Sequence, residues 1–252
     1  MRIGFVLSMF EWRAFRIRRG RCPLCDGRWF VRLGSNLLGV RCLRCQASPI
    51  SMAIGRALRE RVPDFRKRRT HEFSSRGPFF EFLGRNVAEL SGSEYFDGVA
   101  SGERVAGVEC QDLEHLGFAS ESFDLCTSTE VFEHVPDDRS GFREVHRVLA
   151  PGGVLVFTVP LADAERTVER AIRENGKVRH LLPPEHHGDL IRGAGRVLAF
   201  RTYGRDIVDR LREAGFVHAE ILRVPGGSGL APDLPVVVAW KSGRGSSPLE
   251  RE

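Results

Sequence analysis

Between Ser122 and Pro160 the hydrophobic pattern of this chain changes period twice, and that change restricts the fold more than any other feature. Phe123, Leu125 and Cys126 mark a short apolar strand that opens at Thr127-Ser128-Thr129 into a loop. Phe142, Val145, Val148 and Leu149 then recur at three- and four-residue steps, the stripe of a helix with one buried face. Ala150-Pro151-Gly152-Gly153 is expected to stop that helix, because proline lacks a donor and glycine accepts positive φ. Val154 to Val159 is almost wholly apolar and β-branched or aromatic, as in a strand covered on both faces. A strand, a helix and a second strand in so short a span form a βαβ unit, so a parallel sheet follows.

These residues, SFDLCTSTEVFEHVPDD and FREVHRVLAPGGVLVFTVP, resemble the second half of the class I S-adenosylmethionine-dependent methyltransferase domain, near its small-molecule type 11 branch. The resemblance runs from about Arg68 to Lys241. It implies an α/β fold with a Rossmann-like seven-stranded sheet whose last strand is antiparallel. It also implies S-adenosyl-L-methionine as cofactor and methyl transfer to an oxygen or nitrogen of a small-molecule acceptor, such as a sugar or natural product.

A chain of 252 residues with 42% apolar and 28% charged residues can bury a full α/β core and carry a small appendage. Its charge is unevenly placed. Residues 1–70 hold 17 Lys and Arg against 4 Asp and Glu, while the remainder holds 21 against 29. A basic head suits polyanions such as RNA or an anionic membrane, or it is a solvated surface facing an acidic body. Both readings stand at this point, and RNA is the alternative substrate. Ile3 to Phe10 is too short for a membrane span and precedes its arginines, the wrong order for a secretory signal. With four of six cysteines in metal-ligand pairs, a cytoplasmic location is expected.

Those pairs are Cys22-Pro-Leu-Cys25 and Cys42-Leu-Arg-Cys45, sixteen residues apart. Two such turns aim four sulfurs at one ion, the pattern of a zinc ribbon, with an iron–sulfur centre as the competing ligand. Four thiolates leave no open coordination position, so a zinc ion there is structural. Trp29 to Leu33 and Leu37 to Val40 read as hairpin strands, with Trp12, Phe15 and Ile17 covering the module. A helix follows over 48–61, capped by Ser48 or Ser51. The expected division is a basic zinc-ribbon segment over 1–66, a methyltransferase-like domain over 67–244 and a disordered tail over 245–252. This order is similar to that of a subset of type 11 proteins.

The resemblance also implies site residues. Glu72 occupies the acidic position at the end of the first strand, and Ser74, Ser75 and Gly77 stand where a glycine-rich turn approaches the cofactor. Only Gly77 is a glycine, and the Cβ atoms of the two serines restrict φ and crowd a ligand. Glu94, with Asp97 as the other candidate, would accept from the ribose hydroxyls. Asp112 and Leu113 would contact the adenine, Asp112 otherwise serving as a helix N-cap. Ser128 and Glu130, at the end of the fourth strand, border the cofactor.

Ligands in open α/β sheets sit beyond the carboxyl ends of the strands. There Glu130, Glu133 and His134 stand at i, i+3 and i+4, one face of a helical turn. The pattern is similar to one in ubiquinone-pathway and small-RNA O-methyltransferases that helps hold a divalent ion. His134, His186 and His187 are the candidate general bases, with Asp189 able to orient the latter two, in a loop after the fifth strand. Asp206 is expected to cap the helix over 207–214. The altered cofactor loop keeps two other functions open: a methyltransferase-fold binding module, or an enzyme of different chemistry such as cyclisation or elimination.

Overall fold

The computed structural model describes residues 11–189, 195–226 and 229–243. The expected tail and the apolar run Ile3 to Phe10 lie outside these residues, and the side chain of Asp189 is likewise outside the description.

The chain begins with an antiparallel sheet, β1 (Arg16–Arg19), β2 (Trp29–Arg32) and β3 (Val40–Cys42), in that order. The expected hairpin therefore has a third strand. The segment from Leu37, expected as a strand, is instead a 3-10 turn to Gly39. Trp12 and Ile17, expected to cover the module, are exposed. The two cysteine pairs form matched knuckles. Asp26 N–H donates to Cys22 O and Gln46 N–H to Cys42 O, and Asp26 and Gln46 both adopt positive φ, 58° and 62°. The repeated turn aims both sulfurs of each pair the same way.

Helix α1 (Pro49–Arg61) starts at Ser48, whose Oγ accepts from Ser51 N–H at 3.2 Å, and Pro49 sets the first-turn φ. Met52, Ile54 and Leu58 are fully buried as it packs on the main sheet, each contributing roughly 1.5–3 kcal/mol.

The main domain runs β4 (Arg69–Glu72), α2 (Pro78–Gly84), β5 (Glu89–Glu94), β6 (Arg104–Val105), β7 (Val108–Cys110), β8 (Phe123–Thr129), α3 (Asp138–Val148) and β9 (Leu149–Thr158). Short strands follow: β10 (Val168–Glu169), β11 (Ala171–Glu174), β12 (Lys177–His180), β13 (His186–Asp189), β14 (Gly195–Leu198) and β15 (Arg201–Thr202). Then come α4 (Ile207–Glu213), β16 (His218–Val224) and β17 (Leu234–Trp240). The sheet order is β16-β17-β9-β8-β4-β5-β7-β6. The strands from β9 to β7 are parallel neighbours, and β17 is antiparallel to both β9 and β16.

Eight strands replace the expected seven, the extra one being two-residue β6, antiparallel on the edge of β7. Helix α3 ends at Val148, before Ala150-Pro151-Gly152-Gly153. That segment bulges out of β9, where the pairing with β8 jumps from Phe123↔Leu149 to Leu125↔Val154. β5 ends at Glu94, three residues short of Asp97. Asp112 caps no helix: its Oδ1 accepts from Glu114 N–H (2.9 Å) in a tight turn. Asp206 precedes α4 without capping it, because Thr167 N–H and Oγ1–H both donate to its carboxylate. At Asp206 the cause is plain: its acceptor was captured by Thr167, 39 residues away in sequence.

One cluster of buried side chains runs from Cys22, Leu24 and Phe30 through Met52 and Leu58 to Phe79, Leu125 and Val156, across the expected boundary at 66. Among the described residues no helix is long and apolar enough to cross a membrane.

Candidate functional site

The carboxyl ends of β4 and β8 converge on a cleft of about 160 Å³ lined by Glu72, Ser74, Gly77, Phe79, Phe80 and Thr129, with Ser51 of α1 as a further wall. Glu72 is buried and accepts from Thr127 Oγ1–H, a very short contact. Burial pushes its carboxyl up to about 8, and the nearby Glu94 charge adds to the shift, against the Thr127 bond. Glu94 closes β5 and draws the loop onto itself. Ser75 N–H and Oγ–H donate to Glu94 Oε1 at 2.7 and 2.8 Å. The two serines are thus held by a carboxylate, where a glycine turn would have needed none.

Space for the loop comes from the neighbouring strand. A Cβ at Gly92 would lie 2.8 Å from Ser74 O and 2.5 Å from the Phe80 ring, so Gly92 of β5 lets the loop approach. Gly77 has φ 99°, and the space beside its Cα is open, leaving bare backbone at the cleft and at the start of α2. Asp112 and Leu113 lie at the end of β7, with Leu113 buried in the core and Asp112 N–H donating to Ser101 Oγ (2.9 Å). Ser128 is buried, its Oγ without a partner among the described residues.

A second cluster lies beyond β8. Glu130 has φ 54° and falls outside the 3-10 turn Phe132–His134. The expected face of Glu130, Glu133 and His134 is therefore not formed. Ligand-competent atoms of Glu133, His134 and His187 gather instead, all within 4.8 Å. Glu133 is wholly buried, and neither carboxylate oxygen has a hydrogen-bond partner among the described residues. His134 Nε2 and His187 Nδ1 each stand 3.6 Å from Glu133 Oε1. The outer nitrogens are engaged elsewhere: His134 Nδ1–H donates to Leu198 O (2.9 Å) and His187 Nε2–H to Glu185 Oε1 (3.2 Å). Those bonds set both tautomers so that the remaining nitrogens face Glu133, the arrangement that orients imidazole ligands.

Glu133 raises the His187 pKa to about 9, and burial raises that of Glu130 to about 8. His186 and His187 lie in strand β13, not in a loop. Adjacent strand residues face opposite ways, so His186 is exposed and outside the cluster.

The turn carrying Glu133 and His134 is splinted from the distant β14–β15 segment. Arg201, buried, donates to the carbonyls of Phe132 (3.2 Å), Val135 (2.5 Å) and Pro136 (2.7 Å) and pairs with Glu169. Phe200 N–H donates to Glu133 O (2.7 Å), and Tyr203 Oη–H to Asp138 (2.9 Å). The sequence marks only Asp206 here, as a helix cap, and gives Arg201 no role. Nothing local signals a guanidinium that reaches back some seventy residues.

At the other end, the sulfurs of Cys22 and Cys45 are 3.7 Å apart and those of Cys25 and Cys42 are 3.6 Å apart, with all four within 4.8 Å. Tetrahedral metal–sulfur bonds of about 2.3 Å require S···S edges near 3.8 Å, so the four cysteines fit one such ion.

The sequence pattern of a methyltransferase domain matches residues 74–157, one third of the chain. Ubiquinone biosynthesis O-methyltransferase of Coxiella burnetii is 38% identical over 50 residues, 20% of this chain and 21% of that protein. Malonyl-[acyl-carrier protein] O-methyltransferase of Enterobacter lignolyticus is 31% identical over 103 residues, 40% and 41% of the two chains. The chain thus spans between a fifth and two fifths of the length of these relatives. An S-adenosylmethionine-dependent methyltransferase from Mesorhizobium loti superposes with TM-score 0.50 at 22% identity, covering 75% of this chain and 98% of that one. The chain therefore has a methyltransferase-like α/β fold, with its methyltransferase-domain match spanning the cleft loop through β9.

Proposed function

We propose that this protein is an S-adenosylmethionine-dependent methyltransferase acting on an oxygen or nitrogen of a small-molecule acceptor. The observation that carries the reading is the pair of carboxylates, Glu72 and Glu94, at the ends of adjacent parallel strands beside the open backbone of Gly77. A buried, repelling acidic pair is relieved by a cation, and the cofactor has both an ammonium and a sulfonium. The residues fit that ligand: Glu72, Ser74 and Gly77 would hold its amino-acid end, and Glu94 its ribose. Asp112, Leu113, Ser128 and Glu130 would border the rest. At about 160 Å³ the cleft is smaller than common ligand sites of 300 Å³ or more, so a bound nucleoside extends beyond it. When bound, S-adenosylmethionine supplies an electrophilic methyl group.

The protein's own part is to position the acceptor and manage its proton. Glu133, His134 and His187 fit a divalent cation, because a buried carboxylate with no hydrogen bond among the described residues and two oriented imidazoles converge there. An ion there would polarise an acceptor hydroxyl. Without one, the raised His187 keeps its proton beside Glu133 at neutral pH, so His134 is the better base. His186 lies on the far side of β13 and is the weakest of the three candidates. The cysteine module holds a structural zinc ion in this reading, and its four sulfurs leave no site for a substrate.

The O-methyltransferase names of the two sequence relatives favour oxygen as the accepting atom. The Ser75 bonds to Glu94 favour a second reading: a methyltransferase-like fold whose loop excludes the cofactor and which binds or transforms ligands otherwise. Calorimetric titration with S-adenosylmethionine separates them. Micromolar binding followed by S-adenosylhomocysteine release across an acceptor screen supports methyl transfer, and no binding overturns it.

A further inference from the structure

The cysteine module touches the cleft through one continuous chain of contacts. Leu24 lies between the first two cysteines, and its Cδ2 fills the notch at Gly55 of α1, where a Cβ would lie 2.2 Å from that methyl. The same notch borders Phe79, 3.9 Å from the Gly55 Cβ direction, and Phe79 lines the cleft. One helical turn earlier, Ser51 faces the cleft directly. Arg59, one turn after Gly55, donates to Pro23 O (3.0 Å) within the same knuckle, while its guanidinium lies over the Phe82 ring of α2 at 5.1 Å. The knuckle thus holds α1 by an apolar peg and a hydrogen bond, and α1 with α2 forms the cleft wall.

We propose that the four-cysteine module is a positioning element of the cleft, so that metal occupancy and binding of an S-adenosyl nucleoside are coupled. This rests on the reading of the cleft as the cofactor site. The metal fixes the Cys22–Cys25 turn, and the turn sets where Leu24 presses on Gly55. The small residue at 55 is what allows the approach: with any side chain there, Leu24 must withdraw. Ser51 and Phe79 then depend on a metal site with no role in the chemistry. Coupling is reciprocal, so bound nucleoside must raise metal affinity by the factor by which metal raises nucleoside affinity.

The test uses the full, zinc-loaded chain. Leu24→Ala empties the notch and Gly55→Ala displaces the leucine. Each is expected to weaken S-adenosylhomocysteine binding about tenfold, and the double variant, with the new methyl in the vacated space, to recover much of that loss. Competition with a chromogenic chelator is expected to show tighter zinc retention under saturating S-adenosylhomocysteine. Wild-type binding in both single variants, or zinc affinity indifferent to the nucleoside, overturns the proposal. If the wild-type protein binds no S-adenosylhomocysteine, the reading of the cleft fails by itself. The positioning of the cleft wall by the module is then judged by hydrogen exchange after zinc removal, with β8 as control for an intact sheet. Faster exchange over 49–55 and 77–84 supports it, and unchanged exchange there overturns it.

Discussion

Glu72→Gln is the perturbation with the most to say about the cleft. Glu72 is buried at the end of β4 and its pKa is about 8, against an ordinary value of 4.5. The folded state therefore binds this proton more tightly than the unfolded state. Below pH 4.5 both states are protonated and the group contributes nothing. Between 4.5 and 8 the unfolded chain ionises first, so folding stability falls as pH rises, and the loss is complete above 8. At about 1.4 kcal/mol per tenfold, the full loss is on the order of 5 kcal/mol. Glutamine keeps the shape and can still accept from Thr127 Oγ1–H, but it does not ionise. Urea unfolding of both proteins at intervals from pH 5 to 8.5 isolates the group, since Glu130 and His187 act alike in each. The stability difference in favour of the variant is expected near zero at pH 5 and several kcal/mol at pH 8.5. A difference that stays constant across this range refutes the burial argument. S-adenosylmethionine is expected to bind with proton release at pH 7 in the wild type, and more weakly, without that release, in the variant.

Glu133→Gln removes the charge facing His187, so its imidazole, near 9 in the ion-free protein, is expected to titrate closer to 6.5 by NMR. An unchanged midpoint would show that Glu185 alone sets it. Arg201→Lys loses the fork that holds three carbonyls of the Glu133 turn and is expected to cost about 2–4 kcal/mol by thermal unfolding. The His187 midpoint should shift as well, and a stability loss without that shift would make Arg201 purely structural. Asp112→Ala is expected to weaken S-adenosylmethionine binding about tenfold with the domain still folded, checked by calorimetry and far-UV circular dichroism. Ser75→Gly releases one donor from Glu94, and S-adenosylhomocysteine affinity is expected to rise several-fold in the same titration. A fall in affinity would mean the serine hydroxyl helps hold the ligand.

Periodicity and spacing by themselves determined the parallel βαβ unit of β8, α3 and β9, a helix α1 capped at Ser48 or Ser51, and the grouping of Cys22, Cys25, Cys42 and Cys45. Each of these rests on interactions within a few turns of chain, or on a motif whose spacing is its geometry. The acidic ends of β4 and β5 came from the resemblance to the methyltransferase family instead, since Arg69–Glu72 has no apolar residue and Glu89–Glu94 only Leu90. Only tertiary structure decided the partners. Arg201 reaches the Glu133 turn, His187 takes the place expected of Glu130, Gly92 makes room for Ser74, and Leu24 meets Gly55. Hydrogen bonds and close approaches of this kind depend on distances between segments 18 to 69 residues apart, and no pattern along the chain encodes those distances.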